Sequence, residues 1–261
     1  MRGVSVILPT VRIDDWLDDA VQSILDSSDV EIDLIVVHDG VEPDPLLPWM
    51  KDPRVQAVHH QVRRGLPAGL MSGLEHARFE LIGRLDADDL ADRRRLGRQA
   101  DYLTSHSDTV AVGTRTMNID GDGHELNEFR IPVGDDIRSN LLLSNAIVHS
   151  SVMFRKSDCL AVGGFDTSLP QMEDYDLWLR MACLGPIANL DEVLTYYRVH
   201  AGQMSRGAKP FGIHIARVMT GRANLRRHLK APVFPSIAKD IVWRGVQFLR
   251  YYGIIRPGYE R

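Results

Sequence analysis

The sequence predicts an α/β fold, in which a mostly parallel sheet carries helices on both faces, and three observations support this. Short apolar runs alternate with segments of helical periodicity through the first hundred residues. Two of these runs end in carboxylates, one at Asp39 and the other at Asp86 and Asp88. Hydrophobic residues make up 44% of the 261 positions, which suits a buried core and a large domain with or without an appendage.

The individual elements follow from the period of the apolar residues and from their capping and turn residues. A helix is expected to begin near Asp14, where apolar positions recur at helical spacing. Strands are predicted at residues 4–8, 32–37, 54–58, 79–85, 110–112, 147–154 and 194–199, with a hairpin of 115–119 and 125–131. Further helices are predicted at 44–50, 65–77, 93–106, 135–143 and 173–184.

Charge is unevenly distributed along the chain. Residues 209–261 contain 11 Lys and Arg and 2 Asp and Glu, a net charge of +9. Because the whole chain has a net charge of −4, the remaining residues carry −13. The acidic body argues against a nucleic-acid partner, and the basic tail suggests an anionic surface. Residues 236–256 show apolar positions at near-helical spacing with interspersed cations. Such a helix either packs on the body or lies on an anionic membrane.

Location and cysteine content point to the cytoplasm. Met1 and Arg2 lead directly into a strand-like run, so we expect no secretory leader. No run of about 18 apolar residues exists that could span a membrane. Cys159 and Cys183 fit no metal motif, and two thiols in a chain of this length suggest core residues in a reducing compartment. A cytoplasmic protein is predicted, with contact at the inner face of the plasma membrane as one option.

The three acids at 86–89 form the main candidate site. Asp86 and Asp88 point to the same side of an extended chain, and carboxylates that close repel one another unless a cation lies among them. Hard oxygen ligands suit Mg²⁺ or Mn²⁺, ions that usually also hold phosphates. No glycine pattern of a dinucleotide fingerprint or P-loop is present, so a metal would have to hold them. The alternative is a solvated acidic loop with Asp89 as a helix N-cap.

Each of the other candidate residues allows two interpretations. Glu173 and Asp174 are typical of a helix start, where the dipole favours acids, but either suits a general base. His200, after a strand, is either a satisfied polar residue or a ligand of the cation or phosphate. Arg63 and Arg64 are either solvated or in contact with a diphosphate. Residues 120–123 superficially suggest a calcium loop, but without the required Glu they predict a plain turn.

Six segments, in this order, resemble family 2 inverting glycosyltransferases of the GT-A fold, of the bacterial polysaccharide-assembly type. The resemblance covers roughly residues 4–206. The segments are VSVILPT at 4–10, IVVHDG at 35–40, RLDADD at 84–89, GGFD at 163–166, EDYDLWLR at 173–180, and YRVH at 197–200 followed by Ser205. Any one is weak evidence, whereas six in the right order are specific. The implied fold is a Rossmann-like nucleotide-binding sheet flanked by helices, with a smaller acceptor-side subregion and C-terminal helices.

The resemblance implies a metal-dependent transfer of a sugar from a nucleotide sugar, with UDP the expected carrier, to a hydroxyl of a glycan or lipid-linked acceptor. Asp174, with Glu173 beside it, looks like the catalytic base. Asp88, with Asp86 and His200, would hold Mn²⁺ or Mg²⁺. The implied nucleotide-sugar-binding residues are Pro9, Thr10, Asp39, Arg64, Asp86, Ala87 and Asp88. The implied acceptor-side residues are His149, Ser151 and Trp178.

The same resemblance divides the chain into a glycosyltransferase domain at 1–206 and a basic helical extension at 207–261. Within the domain, 1–113 would bind the nucleotide sugar, and 114–206 would bind the acceptor and carry the catalytic groups. Two positions depart from the family pattern. His38 stands where the family usually has Asp, and Met71 stands where it often has Asn.

Three other functions are compatible with an α/β fold that carries acidic loops. A nucleotidyltransferase that makes the nucleotide sugar would carry a glycine-rich cationic loop after the first strand, whereas residues 9–12 read Pro-Thr-Val-Arg. A phosphatase with an Asp-x-Asp nucleophile would place that motif after the first strand rather than about the fourth. A nucleotide-sugar-binding protein without turnover is the third rival, and His38 gives it weight. The sequence leaves the oligomeric state open.

Overall fold

A computed structural model describes residues 2–169, 171–200, 202 and 209–254. Ser205 of the quoted segments and the last two positions of the predicted 236–256 helix lie outside them. The first half of the sheet is parallel, as predicted. Its strands, in the spatial order β3-β2-β1-β4, are β1 (Arg2–Thr10), β2 (Val30–Asp39), β3 (Val55–His60) and β4 (Leu81–Arg84). They read as apolar runs because helices cover both faces.

The second half of the sheet is mixed. Its strands are β5 (Leu90–Ala91), β6 (Ala111–Ile119), β7 (Glu125–Phe129), β8 (Met153–Arg155) and β9 (Ile187–Arg198). The order continues β4-β8-β6-β9-β5, and β7 forms the predicted hairpin with β6. Strand β8 runs antiparallel to β4 and β6, whereas β9 is parallel to β6 and antiparallel to β5. One continuous sheet therefore joins the two halves of the molecule.

Within the described residues, seven α-helices flank the sheet: α1 (Asp15–Leu25), α2 (Leu66–His76), α3 (Arg95–Ser105), α4 (Lys156–Ala161), α5 (Glu173–Met181), α6 (Ile213–His228) and α7 (Val233–Tyr251). Helix α1 begins where predicted, because the Asp14 carboxylate accepts the Leu17 N–H at 3.1 Å. One hydrophobic core includes Leu17 of α1 and Leu96 of α3. The other, on the opposite face, includes Leu70 of α2 and Trp178 of α5. The predicted α/β architecture is confirmed.

Three predicted elements differ from the structure. The strand expected at 147–154 is a 3-10 turn, His149–Ser151, followed by the short β8. Ser151 Oγ donates to the Val148 carbonyl at 2.9 Å, a local bond that competes with sheet pairing. The helices expected at 44–50 and 135–143 are only the 3-10 turns Pro48–Lys51 and Asn140–Leu142. Helix α4 and strand β5 were not predicted.

The C-terminal helices are fixed to the body by a buried arginine. Arg222, fully buried on α6, donates to the Asp240 carboxylate of α7 at 2.7 Å and to the Tyr175 hydroxyl of α5 at 2.8 Å. Val218 of α6 and Trp243 of α7 belong to the same core as α5. The predicted boundary at 207 therefore does not separate two cores. Among the described residues, no helix has the length and apolarity that crossing a membrane requires.

Candidate active site

The carboxyl ends of β1, β2 and β4 meet at one edge of the sheet, where ligands bind in open α/β folds. Asp39 ends β2 and is almost fully buried. Its carboxylate accepts the N–H groups of Arg64 and Gly65 at 2.8 Å each and lies 2.9 Å from His60 Nδ1. Burial acts to raise the pKa of Asp39, but these hydrogen bonds outweigh it and lower the pKa. Asp39 thus fixes the loop that carries Arg64, whose own side chain is exposed.

His38 lies beside this edge but is fully buried. Its ring stacks near that of Trp49, with centroids 6.5 Å apart and planes 11° apart. Burial, with the charge of His59 second, lowers the pKa of His38 to about 4, so the ring is neutral at pH 7. Neither ring nitrogen has a hydrogen-bond partner among the described residues. The position where the family usually has Asp is therefore uncharged here.

The acidic loop follows β4 directly. The oxygens of Asp86, Asp88 and Asp89 lie within 4.8 Å of one another. Arg84, the last residue of β4, is buried and its guanidinium forms a two-point ion pair with Asp86. Ser150 Oγ accepts the Asp86 N–H at 2.9 Å, which connects the loop to the 149–151 turn. The three carboxylates therefore lie close enough together to hold one cation, and one of them is paired with an arginine.

Asp89 is the buried member of the cluster and does not cap a helix, because α3 begins only at Arg95. One of its oxygens accepts the Arg198 N–H at 2.8 Å, and the other has no partner among the described residues. Burial, followed by repulsion from Asp88 and Asp86, raises the pKa of Asp89 well above its usual value. Burial also raises the pKa of Asp86, against the opposing charge of Arg84. A cation at this cluster would relieve that repulsion.

Asp88 is partly exposed, like Asp86, and lies beside His200. Asp88 Oδ2 lies 2.9 Å from His200 Nε2 and 3.8 Å from the Arg12 guanidinium. The Asp88 carbonyl accepts from Arg198 Nε at 2.8 Å. The indole of Trp16 packs against both partners, 4.9 Å from the His200 ring and 5.2 Å from the Arg198 guanidinium. Strand β9 and helix α1 thus hold the loop from two sides.

Sequence reasoning assigned no role to Arg198, which orders this part of the site. The side chain is buried and donates to the carbonyls of Asp120 and Gly121 at 3.1 Å and 2.8 Å, in addition to that of Asp88. It therefore joins the acidic loop to the β6–β7 turn. In that turn Asp120 accepts the N–H groups of Asp122 and His124 at 2.9 Å each, which supports the plain turn that the sequence predicted.

The second group of carboxylates begins α5. Met172 precedes it in a left-handed conformation, with φ 61°, and turns the chain so that the helix starts at Glu173. The Asp174 carboxylate accepts from Asn145 Nδ2 and from the Tyr175 N–H at 2.7 Å each. Burial raises the pKa of Asp174 despite these bonds. Burial, with the Asp174 charge second, raises the pKa of Glu173 to about 7. Two adjacent acids therefore differ in environment.

Arg84 links the two groups of carboxylates. Its guanidinium pairs with Asp86, and its charge partly opposes the rise that burial causes in the pKa of Glu173 and Asp174. The 149–151 turn makes the second link, because Ser150 contacts the acidic loop and His149 Nδ1 lies 4.0 Å from Glu173 Oε1. The residues predicted to hold a metal and those predicted to act as base are thus brought to one region by Arg84 and this turn.

The three residues expected on the acceptor side lie at different depths. His149 borders Glu173, and burial with the Arg84 charge lowers its pKa well below the usual value. Ser151 is fully buried, and its hydroxyl is engaged by Val148 and by the Thr114 N–H. Trp178 is fully buried and packs edge-on against His149, 6.0 Å away. Trp178 therefore supports the His149 ring, whereas the Ser151 hydroxyl is held by the backbone around it.

The remaining predicted nucleotide contacts lie along the same edge. Pro9 and Ala87 are partly exposed, and Thr10 Oγ1 is buried and donates to the Arg12 carbonyl. Met71, the second departure from the family pattern, has a structural role. Its thioether sulfur accepts the Phe165 N–H at 3.3 Å and packs against Gly164, whose φ of 68° suits glycine. Met71 therefore helps to hold the 163–166 turn next to α5.

Comparison with known proteins identifies the family. The sequence model described as "Glycosyl transferase family 2" matches residues 5–159. The chain belongs to glycosyl transferase family 2. This glycosyltransferase is 31% identical to the amylovoran biosynthesis glycosyltransferase AmsE of Erwinia amylovora over 180 residues, 67% of each chain. It is 29% identical to the O-antigen biosynthesis glycosyltransferase WbnJ of Escherichia coli over 217 residues, 78% of this chain and 83% of that one.

Solved structures confirm the fold of this glycosyltransferase. The structure of residues 1–349 of TarS from S. aureus, in complex with UDP-GlcNAc, superposes with a TM-score of 0.67 at 15% sequence identity. The match covers 97% of the present chain and 73% of that one. A structure of TarS 1–349 with UDP gives a TM-score of 0.65 over 97% and 92% of the two chains. The expected GT-A fold with added C-terminal helices is thereby confirmed.

The raised pKa of Glu173 predicts a pH-dependent stability. Between its ordinary value of 4.5 and about 7, the native state keeps a proton that the unfolded chain has lost. The stability contributed by protonated Glu173 is therefore full below about pH 4.5 and is lost as pH rises through about 7. Glu173→Gln cannot ionise, so its free energy of unfolding should rise relative to wild type by on the order of 3 kcal/mol across that window.

Urea unfolding of both proteins at the two ends of this pH window measures the difference. The exposed Glu75, changed to Gln, is the matched control, and it should leave the pH dependence as in wild type. A constant gap between Glu173→Gln and wild type at both pH values would contradict the assignment of a protonated Glu173.

Proposed function

We propose that this enzyme transfers a sugar from a UDP-linked donor to a hydroxyl of a glycan or lipid-linked acceptor, with inversion at the anomeric carbon, in cell-surface polysaccharide synthesis. The observation that carries the proposal is the 149–151 turn, which contacts the acidic loop through Ser150 and Glu173 of α5 through His149, beside the Arg84–Asp86 pair. The printed names of AmsE and WbnJ, for amylovoran and O-antigen biosynthesis, favour a polysaccharide product. The TarS structures with UDP-GlcNAc and UDP favour a uridine nucleotide as carrier.

The residues of the acidic loop fit a divalent cation, Mn²⁺ or Mg²⁺. Asp88 and His200 are the available ligands, since Asp88 is partly exposed and both Asp86 oxygens are engaged by Arg84. The unpartnered oxygen of Asp89 and the raised pKa of Asp86 and Asp89 mark a cluster short of positive charge. A bound cation would neutralise the charge that develops on the departing nucleoside diphosphate. Asp86 would contribute to the cation site while it remains paired with Arg84.

Asp174 is the proposed base. Its carboxylate takes the proton of the acceptor hydroxyl as that oxygen bonds to the anomeric carbon, and the bond from this carbon to the diphosphate oxygen breaks with its electron pair. One displacement needs no enzyme nucleophile and inverts the configuration. Asn145 orients the Asp174 carboxylate. Glu173, whose pKa is about 7, keeps a proton over part of the neutral range, so the two acids are suited to different roles.

The donor would lie along the edge formed by β1, β2 and β4, within residues 1–113, where Pro9, Thr10, Asp39, Arg64 and Ala87 line the strand ends. Residues 114–206 would supply the acceptor side through His149, which packs on Trp178, and through the turn that contains Ser151. Both cysteines are free, and Cys159 is buried, which fits the cytoplasmic location that we propose. Each half of the molecule would thus contribute one partner of the reaction.

Donor binding gives the first test of the metal ligands. With saturating UDP-sugar and Mn²⁺, the melting temperature of the wild-type protein should rise by roughly 5 °C, because a ligand that binds only the native state stabilises it. Asp88→Asn removes a cation ligand and should abolish the Mn²⁺-dependent part of the rise. The control is Asp122→Asn, an exposed acid in the β6–β7 turn, which should behave as wild type. An Mn²⁺-dependent rise that survives in Asp88→Asn would refute the assigned ligand.

Product analysis tests the reaction itself. Wild-type enzyme with donor and acceptor should release nucleoside diphosphate, and Asp174→Asn should lower kcat by roughly a thousandfold, since proton transfer by a positioned group is worth about 10²–10⁴-fold. The variant should still be stabilised by donor. Release of pyrophosphate would instead indicate a nucleotidyltransferase. Donor binding by wild type without transfer to any acceptor tested would indicate a binding protein.

Asn145 is the proposed positioning residue for Asp174. Its hydrogen bond lowers the pKa of Asp174, so Asn145→Ala should raise that pKa and move the acidic limb of the kcat–pH profile to higher pH. At pH 7 kcat should fall by about tenfold, with donor binding unchanged. Asn224→Ala, on the exposed side of α6, is the control. A lower kcat with an unmoved pH profile would show that Asn145 acts only through local folding.

A further inference from the structure

Helix α7 packs against the body with its polarity reversed. The side chains that it buries include two polar ones, Ser236 and Gln247, together with Trp243. Its exposed side bears large apolar side chains: Phe234 is 84% exposed and Ile241 is 67% exposed. An amphipathic helix normally buries its apolar side and exposes its polar side. The reversal therefore indicates that this face serves a contact outside the described chain.

The exposed residues form one continuous surface, which we call the apolar stripe: Phe234, Ile237, Ile241, Phe248 and Tyr252. Their spacing of three, four, seven and four residues places them on one side of a helix. The stripe runs the length of α7, whose 19 residues span about 28 Å. Phe248 also meets the exposed Phe211, with ring centroids 6.4 Å apart, which broadens the stripe.

The orientation of α7 is fixed by buried charges. The Asp240 carboxylate pairs with Arg222 at 2.7 Å and with Arg226 at 3.2 Å. Rolling the helix to bury the apolar stripe would separate Asp240 from the fully buried Arg222. A buried guanidinium left without its carboxylate is strongly destabilising. The stripe is thus held toward the outside of the molecule.

Charge selects the partner. Residues 209–261 carry a net +9 against −13 for the rest of the chain. Arg222 and Arg226 are paired with Asp240, whereas the exposed Arg244 lies at the margin of the stripe. A second copy seated stripe to stripe would bring two basic segments together, which is unfavourable. Anionic lipid headgroups are attracted to such a segment, and an apolar helix face suits the region just below them. The tyrosines at 251 and 252 have the amphipathic rings that favour this interface.

We propose that α7 docks through its apolar stripe on a bilayer that contains anionic lipid, with the helix lying in the plane of the membrane surface. This inference is independent of the proposed transfer chemistry, because α7 supplies none of the carboxylates of the candidate active site. Failure of membrane binding would leave the activity assays unaffected, and failure of those assays would leave membrane binding unaffected.

Cosedimentation of the full chain with vesicles tests the proposal. Wild-type protein should pellet with phosphatidylcholine vesicles that contain phosphatidylglycerol and much less with phosphatidylcholine alone. The double variant Phe234→Glu and Ile241→Glu should bind at least about tenfold more weakly, because two charges replace buried apolar contacts. Leu46→Glu with Leu126→Glu, exposed apolar residues on other elements, is the matched control and should bind as wild type. Both variants should keep the wild-type melting temperature.

Three results would overturn the proposal. Absence of pelleting with either vesicle is one, and equal pelleting of the stripe variant and wild type is another. The third is a wild-type dimer in light scattering that the stripe variant converts to a monomer without any vesicle binding, which would assign the stripe to a second copy of the chain. Arg244→Glu gives a separate check of charge, and it should weaken binding to the phosphatidylglycerol vesicles.

Discussion

The buried guanidinium of Arg84 is the interaction on which the candidate site depends. It is almost fully excluded from solvent and ends the central strand β4, so its charge must be matched by nearby carboxylates. Asp86 supplies a direct pair, and Asp89 and Glu173 add their charges, which together raise the pKa of Arg84 against the effect of burial. Acids that would otherwise repel one another can therefore occupy a single region. The buried charge of Arg84 therefore favours their convergence.

The predictability of each part follows from the range of the interactions that form it. Strands β1, β2 and β4 were predictable because burial on both faces leaves an apolar run, and the acids at the ends of β2 and β4 adjoin those runs in the sequence. The 149–151 turn was not predictable, because the hydrogen bond that the Ser151 hydroxyl donates to the Val148 carbonyl overrides a strand-like composition. Arg198 was not recognised either, since its contact with the Asp88 carbonyl spans 110 residues. The positions of the acids could be predicted from the sequence pattern, but the roles of Arg84 and Arg198, which hold them, could not.

The position of Asp39 at the end of β2 was predictable, but its structural role depends on tertiary contacts. Its place at the end of β2 follows from the sequence, but its oxygens are occupied by the N–H groups of Arg64 and Gly65. The carboxylate therefore shapes the rim of the site through a loop. His38 next to it is neutral and buried, so this end of β2 contributes less negative charge than two acids would. The remaining negative charge is concentrated on the loop after β4.

The Arg222 cluster has a mechanical consequence. Arg222 bonds at once to Asp240 of α7 and to Tyr175, the neighbour of Asp174 in α5, and Tyr175 bonds in turn to the Leu141 carbonyl. These contacts attach the outermost helix to α5, the same helix that begins with Glu173 and Asp174. The C-terminal segment is therefore part of the framework around the candidate base, although it supplies none of the carboxylates.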